Sequence, residues 1–187
     1  ECVRRQLYIN GGNKTHLSKN PFYSGRVASI LETFPDARIV VNMRDPLECV
    51  PSNLKLMEGN YLSKGWQRAD YSESLVVLEN MSYDCFRLPR DVLRQHPKTP
   101  SMVVDYRDLV TQPKDTIEKL YQNFGLPMSA TYAKVLVERD SEARAHTTKH
   151  SYSAREFGMD VEKMQHELAD FYEQHQWPKP TPQATAS

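Results

Sequence analysis

Apolar residues are arranged along the chain in two different patterns. Over five stretches they recur every three or four positions, which is the spacing of a helix that buries one face. These stretches are residues 21–34, 70–96, 113–124, 130–144 and 160–175. Two short runs, RIVVNM and SMVVDY, are instead apolar without interruption at their centres and rich in β-branched residues, as strands are. The pattern predicts helices that alternate with two strands, over residues 38–43 and 101–106.

This alternation predicts an α/β fold built on a parallel sheet. Neither strand alternates between apolar and polar residues, so we expect both faces of each strand to be buried. The longest predicted helix contains Pro89, where a break is allowed. We expect a single domain over residues 1–176, followed by a disordered, proline-rich tail over residues 177–187.

Composition argues against several classes of partner. The 24 basic and 24 acidic side chains cancel, so no overall field favours a nucleic acid or another polyanion. No apolar run reaches the length of a transmembrane helix, so no transmembrane segment is expected in this chain. The cysteines, Cys2, Cys49 and Cys85, fit neither a zinc site nor a disulfide framework. This usage predicts a reducing, cytoplasmic location.

The residues that follow the first predicted strand are candidates for an anion site. Arg44 comes directly after the strand, and Asp45-Pro46 is typical of an N-cap followed by proline in the first helical turn. Because ligands of parallel sheets bind at the carboxyl ends of the strands, a guanidinium beside a helix N-terminus predicts a phosphate site. Ser52 could add a hydroxyl donor, although Pro51 leaves its direction open. The alternative is that Arg44 pairs with Asp45 or with another carboxylate.

Three segments together resemble the sulfotransferase family, in particular its bacterial and tyrosylprotein-type branches. They are LSKNPF, FPDARIVVNMRDPLECVPS and VVDYRDLVTQPKDTIEKLYQNFGLP, and the resemblance extends from about residue 16 to residue 172. It implies a three-layer parallel-sheet fold of the P-loop nucleotide hydrolase type. It also implies transfer of a sulfuryl group from 3'-phosphoadenosine-5'-phosphosulfate (PAPS) to a hydroxyl or amine on a small molecule, carbohydrate or peptide, without a metal.

The resemblance assigns roles to individual residues. Arg44 and Ser52, eight positions apart, match the pair that binds the 3'-phosphate of the cofactor. Tyr106 matches a tyrosine near the adenosine, and its other interpretation is a half-buried aromatic at a strand end. Lys19, 25 residues before Arg44, matches the lysine that stabilises the transferring group, where charge develops on the oxygens.

Other assignments have weaker matches. Lys149 and Tyr152 lie in a segment similar to the one that closes over the cofactor in this family, and they are candidate cofactor contacts. The sequence KTHL is similar to a motif of the cytosolic branch in which the histidine is the general base, but the position of His16 fits that branch poorly. His146 and His150 have an i,i+4 spacing that two metal ligands can use, but a third ligand is lacking.

One element of the family is missing from the sequence. Members begin with a strand and a loop rich in Gly, Ser and Thr that binds the 5'-phosphosulfate, and these 187 residues contain no such loop. We expect an N-terminally incomplete domain that lacks its first strand and is inactive by itself. The alternative is a non-catalytic α/β interaction module that has lost the loop.

Overall fold

A computed structural model describes residues 1–12, 14–145 and 154–178 of the chain. Its strands are β1 (Ile39–Met43) and β2 (Ser101–Asp105). Its helices are α1 (Cys2–Ile9), α2 (Val27–Thr33), α3 (Pro46–Ser63), α4 (Arg68–Gln95), α5 (Tyr106–Thr111), α6 (Pro113–Asn123), α7 (Ala130–Ala145), α8 (Val161–Glu167) and α9 (Ala169–His175). Short 3₁₀ helices cover Pro21–Arg26 and Ala154–Phe157.

The two strands pair in parallel, which confirms the predicted α/β fold class. Ile39 lies opposite Ser101, and Met43 lies opposite Asp105, so the strands end in register. A parallel pair needs a long crossover connection, and here α3 and α4 supply it. The residues that follow Met43 and Asp105 therefore emerge side by side at the carboxyl edge of the sheet.

The prediction that both faces of each strand are buried is wrong. Val40 in β1 is 38% exposed and Val103 in β2 is 46% exposed. In the described part of the chain the sheet has two strands, so each strand has one free edge and the helices cover only part of each face. Continuous apolar character in the sequence thus indicated strands correctly but overestimated their burial here.

The core lies between one face of the sheet and the helices α3, α4, α8 and α9. It contains Met43, Val50, Leu54, Tyr71, Leu75, Tyr83, Phe86, Met164, Leu168, Phe171 and Tyr172. Trp177, which the sequence analysis placed in the tail, is 3% exposed, and its ring packs edge-on against Phe86 and Tyr172. The packed structure therefore extends at least to Trp177, and residues 179–187 lie outside the described residues.

Three helices differ in detail from their predicted form. α4 continues through Pro89 without a break, and the proline lies buried within the helix. The predicted last helix is divided at Leu168, which is fully buried and has non-helical backbone angles. The first predicted helix begins as a 3₁₀ turn capped by Asn20, whose side chain accepts a hydrogen bond from the Phe22 amide. All three of these helices lie where the apolar spacing predicted them, and only the local backbone differs.

Within the residues that the structure describes, no helix is both long enough and apolar enough to cross a lipid bilayer.

Candidate anion-binding site

The site is built where β1 passes into α3. The Asp45 carboxylate caps the helix by accepting a hydrogen bond of 2.9 Å from the Leu47 amide, and Pro46 occupies the first helical position. This is the local structure predicted from Asp45-Pro46. It fixes the backbone on both sides of Arg44 and leaves the α3 N-terminus, with its positive dipole end, at the carboxyl edge of the sheet.

The register of the sheet brings two predicted site residues together. Arg44 follows Met43 and Tyr106 follows Asp105, and these preceding residues are directly paired. The Arg44 guanidinium carbon lies 4.5 Å from the centre of the Tyr106 ring, in a cation–π contact. Contact with the ring restricts the positions that the guanidinium can adopt. Tyr106 opens α5 and is half-buried.

A carboxylate that the sequence analysis did not name also contacts Arg44. Arg44 Nε donates a hydrogen bond of 2.9 Å to Glu48 Oε2, as an i,i+4 ion pair in the first turn of α3. The alternative weighed from the sequence, pairing of Arg44 with a carboxylate, is therefore present in the structure. The pair uses only Nε. The two terminal nitrogens of Arg44 have no hydrogen-bond partner among the described residues.

The remaining predicted site residues are not part of the contact between Arg44 and Tyr106. Ser52 is half-buried on α3, one helical turn beyond Glu48 on the same face. Lys19 is exposed just before the 3₁₀ helix Pro21–Arg26, which packs against α4, and no described residue forms an ion pair with its ammonium group. Lys149 and Tyr152 lie outside the described residues. Arg44 and Tyr106 are thus in direct contact. The roles assigned to Ser52, Lys19, Lys149 and Tyr152 stay predictions.

The C-terminal helix α9 is attached to the end of β1. The Tyr172 hydroxyl donates a hydrogen bond of 3.2 Å to Asp45 Oδ1, the same oxygen that caps α3. Burial raises the pKa of Asp45 above its ordinary value, although the hydrogen bonds from Leu47 and Tyr172 act in the opposite direction. Tyr172 itself is buried in the core. The position of the α3 N-terminus therefore depends on the packing of α9.

The end of β2 is attached to the same helix by an arginine. Arg107 Nε and Nη2 donate hydrogen bonds of 3.0 and 2.8 Å to the two oxygens of Asp105, and Nη2 also donates to the His175 carbonyl. Burial would raise the pKa of Asp105, but the Arg107 side-chain and amide hydrogen bonds outweigh it and hold that pKa below its ordinary value. Arg107 thus ties the end of β2 to the last turn of α9.

His175 also lies where α9 meets the end of β2. Its ring stacks on Trp177, and Nδ1 lies 3.6 Å from Asp105 Oδ2. Burial lowers the pKa of His175 from its ordinary value of 6.5, despite the opposing effect of Asp105. The folded protein therefore takes up this proton less readily than the unfolded chain. The stability contribution is complete above pH 6.5 and is lost as the pH falls toward the lowered pKa.

We accordingly expect the free energy of unfolding, measured with urea, to be lower at about pH 5.5 than at about pH 7.5. The His175→Phe variant keeps an aromatic ring against Trp177 but cannot be protonated, so its loss over the same interval is expected to be smaller. Equal losses in the two proteins would show that His175 does not cause the effect.

Sequence reasoning missed Glu48, Tyr172 and the bridging role of Arg107. The Arg44 to Glu48 spacing of four residues is a recognisable signal for an ion pair near a helix start. The contacts of Tyr172 and Arg107 span 127 and 68 residues. No local pattern in the sequence predicts contacts over such separations.

The chemistry of the donors identifies the kind of ligand that fits. The two terminal nitrogens of Arg44 are hydrogen-bond donors beside the α3 N-terminus. Donors in this position suit a phosphate or sulfate group. Within the described ranges no three His, Cys, Asp or Glu side chains come together as metal ligands, and His146 and His150 lie outside those ranges. His16 is exposed. The arrangement can bind an anion at the carboxyl edge of the sheet.

Comparison with protein families gives a match over most of the chain. The sequence profile described as the sulfotransferase family matches residues 3–130. Those residues include Lys19, Arg44, Ser52 and Tyr106, so four of the predicted site residues lie within the match.

Individual relatives and a solved structure agree with this match. The omega-hydroxy-beta-dihydromenaquinone-9 sulfotransferases of Mycobacterium bovis and Mycobacterium tuberculosis are each 29% identical to the chain over 122 residues. The match covers 65% of this chain and 31% of each relative, so the chain spans about a third of their length. The crystal structure of a sulfotransferase from Mycobacterium avium has a TM-score of 0.68 and 18% identity, and covers 83% of this chain and 40% of that one. This likeness of fold confirms the predicted fold type.

Proposed function

Because the chain belongs to the sulfotransferase family, we propose that it serves the PAPS-dependent transfer of a sulfuryl group to a hydroxyl or amine acceptor. The observation that carries this proposal is the Arg44 guanidinium held on the Tyr106 ring at the carboxyl edge of the sheet. A phosphate-binding arginine at this edge is what a nucleotide cofactor with a 3'-phosphate requires.

In this proposal some residues of the chain would bind the cofactor, and another would stabilise the charge that develops during transfer. Arg44 would hold the 3'-phosphate through its terminal N–H groups, with Ser52 as a neutral donor and Tyr106 beside the adenosine. Holding the nucleotide at this distant phosphate keeps its reacting end in register with the acceptor. Lys149 and Tyr152 are further proposed contacts of the cofactor.

Lys19 is the proposed catalytic residue. When bound, PAPS would supply the sulfuryl group: the bond from its sulfur to the phosphate oxygen would break as the acceptor atom bonded to sulfur, and the acceptor proton would pass to a base. Negative charge then increases on the oxygen that leaves. An exposed ammonium on a long, flexible side chain can follow that charge, and Lys19 has no competing ion pair among the described residues.

The acceptor is proposed to be a small molecule that carries a hydroxyl group. The two curated relatives are named for a hydroxylated dihydromenaquinone, and this supports a hydroxyl over an amine as the reacting group, and a small molecule over a carbohydrate or peptide. The proposal goes no further than this class of acceptor, because the chain spans about a third of those proteins.

A cytoplasmic location completes the proposal. Cys2, Cys49 and Cys85 are free thiols, as expected in a reducing compartment. Burial raises the pKa of Cys49 to about 12, so this thiol stays protonated and unreactive near neutral pH.

The proposal can be tested with two donors that differ in one phosphate. The full-length protein would be incubated with sulfur-35-labelled PAPS, or with labelled adenosine 5'-phosphosulfate, and a panel of alcohols and amines. We expect label to reach an alcohol, with PAPS preferred at least about tenfold because its extra phosphate can bind Arg44. Equal use of the two donors would contradict the role of Arg44. Binding of PAPS without transfer to any acceptor would favour the non-catalytic interaction module.

A further inference from the structure

Glu48 occupies a position between the two residues proposed to bind the 3'-phosphate. Arg44, Glu48 and Ser52 follow each other at intervals of four, and Glu48 and Ser52 share one face of α3. Glu48 Oε2 lies 2.9 Å from Arg44 Nε. Any anion that reaches both Arg44 and Ser52 must therefore approach a carboxylate closely.

Glu48 has two opposite effects on the binding of such an anion: it orients Arg44, and its charge repels the anion. As a hydrogen-bond acceptor, Glu48 helps to orient Arg44, but exposed i,i+4 pairs contribute little, and the Arg44 guanidinium already contacts the Tyr106 ring. As a negative charge within a few ångströms of a phosphate, it repels the ligand even in a high dielectric, and this repulsion corresponds to about fivefold in affinity. The Glu48 side chain is 57% exposed, so salt screens this repulsion without removing it.

Helix stability explains the presence of Glu48 only in part. It is the third residue of α3, where a carboxylate interacts favourably with the helix N-terminus. Asp115 has the same position in α6, which also begins with proline, and it lies 3.8 Å from Lys114. Stabilising a helix start thus does not require contact with a ligand-binding arginine, and Asp115 provides a matched control.

We propose that Glu48 is a resident counter-ion of Arg44 that competes with the 3'-phosphate and speeds release of the nucleotide product. This inference rests on the proposed function, since it assumes that Arg44 binds that phosphate. Before the nucleotide binds, Glu48 neutralises Arg44. After transfer, the same carboxylate repels the bound bisphosphate and favours its departure. Differences in affinity at one site are expressed mainly in the dissociation rate, so release is the step that Glu48 affects.

The test compares 3'-phosphoadenosine-5'-phosphate with 5'-AMP in the full-length protein and its Glu48→Gln variant. Glutamine keeps an oxygen that accepts from Arg44 Nε but removes the charge. We expect the variant to bind the bisphosphate about three- to tenfold more tightly at low salt, with slower dissociation in stopped-flow measurements and a smaller gain at high salt. Affinity for 5'-AMP is expected to stay the same, and Asp115→Asn is expected to change neither nucleotide.

The outcomes separate this inference from the proposed function. If the wild-type protein prefers the bisphosphate but Glu48→Gln binds it equally or more weakly, the function stands and the counter-ion role is wrong. If neither protein distinguishes the bisphosphate from 5'-AMP, the proposed function fails and the role of Glu48 fails with it. If Asp115→Asn also tightens binding of the bisphosphate, the effect is one of overall charge and the counter-ion role is again wrong.

Discussion

Replacing Arg44 by alanine is expected to lower the affinity for 3'-phosphoadenosine-5'-phosphate about 100-fold, or ~2.7 kcal/mol, in the full-length protein. Charge-assisted hydrogen bonds from the terminal nitrogens of Arg44 would be lost, and one such bond contributes about 1.5–3 kcal/mol net of the exchange with water. Affinity for 5'-AMP, which lacks the 3'-phosphate, is expected to change less than about threefold. Equilibrium displacement of a fluorescent nucleotide measures both constants.

Arg38→Ala is the matched control for this change. Arg38 is exposed and directly precedes β1, so it lies at the amino end of the strand that Arg44 follows. It carries the same charge at the opposite edge of the sheet and is expected to affect neither nucleotide. A similar loss of affinity for the bisphosphate and for 5'-AMP in Arg44→Ala would show that the arginine supports the fold and does not recognise the 3'-phosphate.

Replacing Lys19 by alanine is expected to lower kcat about 100- to 1000-fold, because a preorganised cation opposite developing charge has an effect of this size. The KM for PAPS is expected to change little, since the nucleotide is held at its other end by Arg44. Lys19→Arg keeps a positive charge and is expected to recover part of kcat. Steady-state transfer of labelled sulfate measures both parameters.

The control for Lys19 comes from the neighbouring KTHL sequence. Lys14 and His16 are exposed in the same segment of the chain, five and three residues before Lys19. Their alanine variants are expected to keep kcat within about threefold, as exposed residues away from the reacting group do. A large loss in His16→Ala together with a small one in Lys19→Ala would instead support the general-base assignment of the cytosolic branch.

Local sequence patterns predicted those parts of the site that depend on neighbouring residues. Asp45-Pro46 predicted the capped start of α3, and the carboxylate does accept from the Leu47 amide. The two β-branched runs predicted the strands β1 and β2. The parallel pairing of these strands places Arg44 beside Tyr106. These features follow from backbone geometry, which the apolar period and the cap residues determine.

Features that depend on distant packing could not be predicted in this way. Trp177 is in a proline-rich, polar context that is typical of a tail, yet its ring is buried between Phe86, Tyr172 and His175. The exposure of Val103 likewise depends on which elements cover the sheet. Such contacts join residues far apart in the chain, and the spacing of apolar residues in the sequence does not predict them.

The choice of partner for Arg44 illustrates the same limit within one helical turn. The sequence offered Asp45 and other carboxylates as partners of Arg44. In the structure Asp45 is engaged by the Leu47 amide and by Tyr172, and the Arg44 Nε pairs with Glu48. Tyr172 comes from α9, so a residue 127 positions from Asp45 contributes to the choice of carboxylate that pairs with Arg44.

The most direct test of the central claim is a crystal structure of the full-length protein with 3'-phosphoadenosine-5'-phosphate. The account predicts that the 3'-phosphate lies within hydrogen-bond distance of the terminal nitrogens of Arg44, at the carboxyl edge of β1 and β2, with the adenosine near Tyr106. A nucleotide bound elsewhere, or bound here with its 3'-phosphate turned away from Arg44, would contradict it.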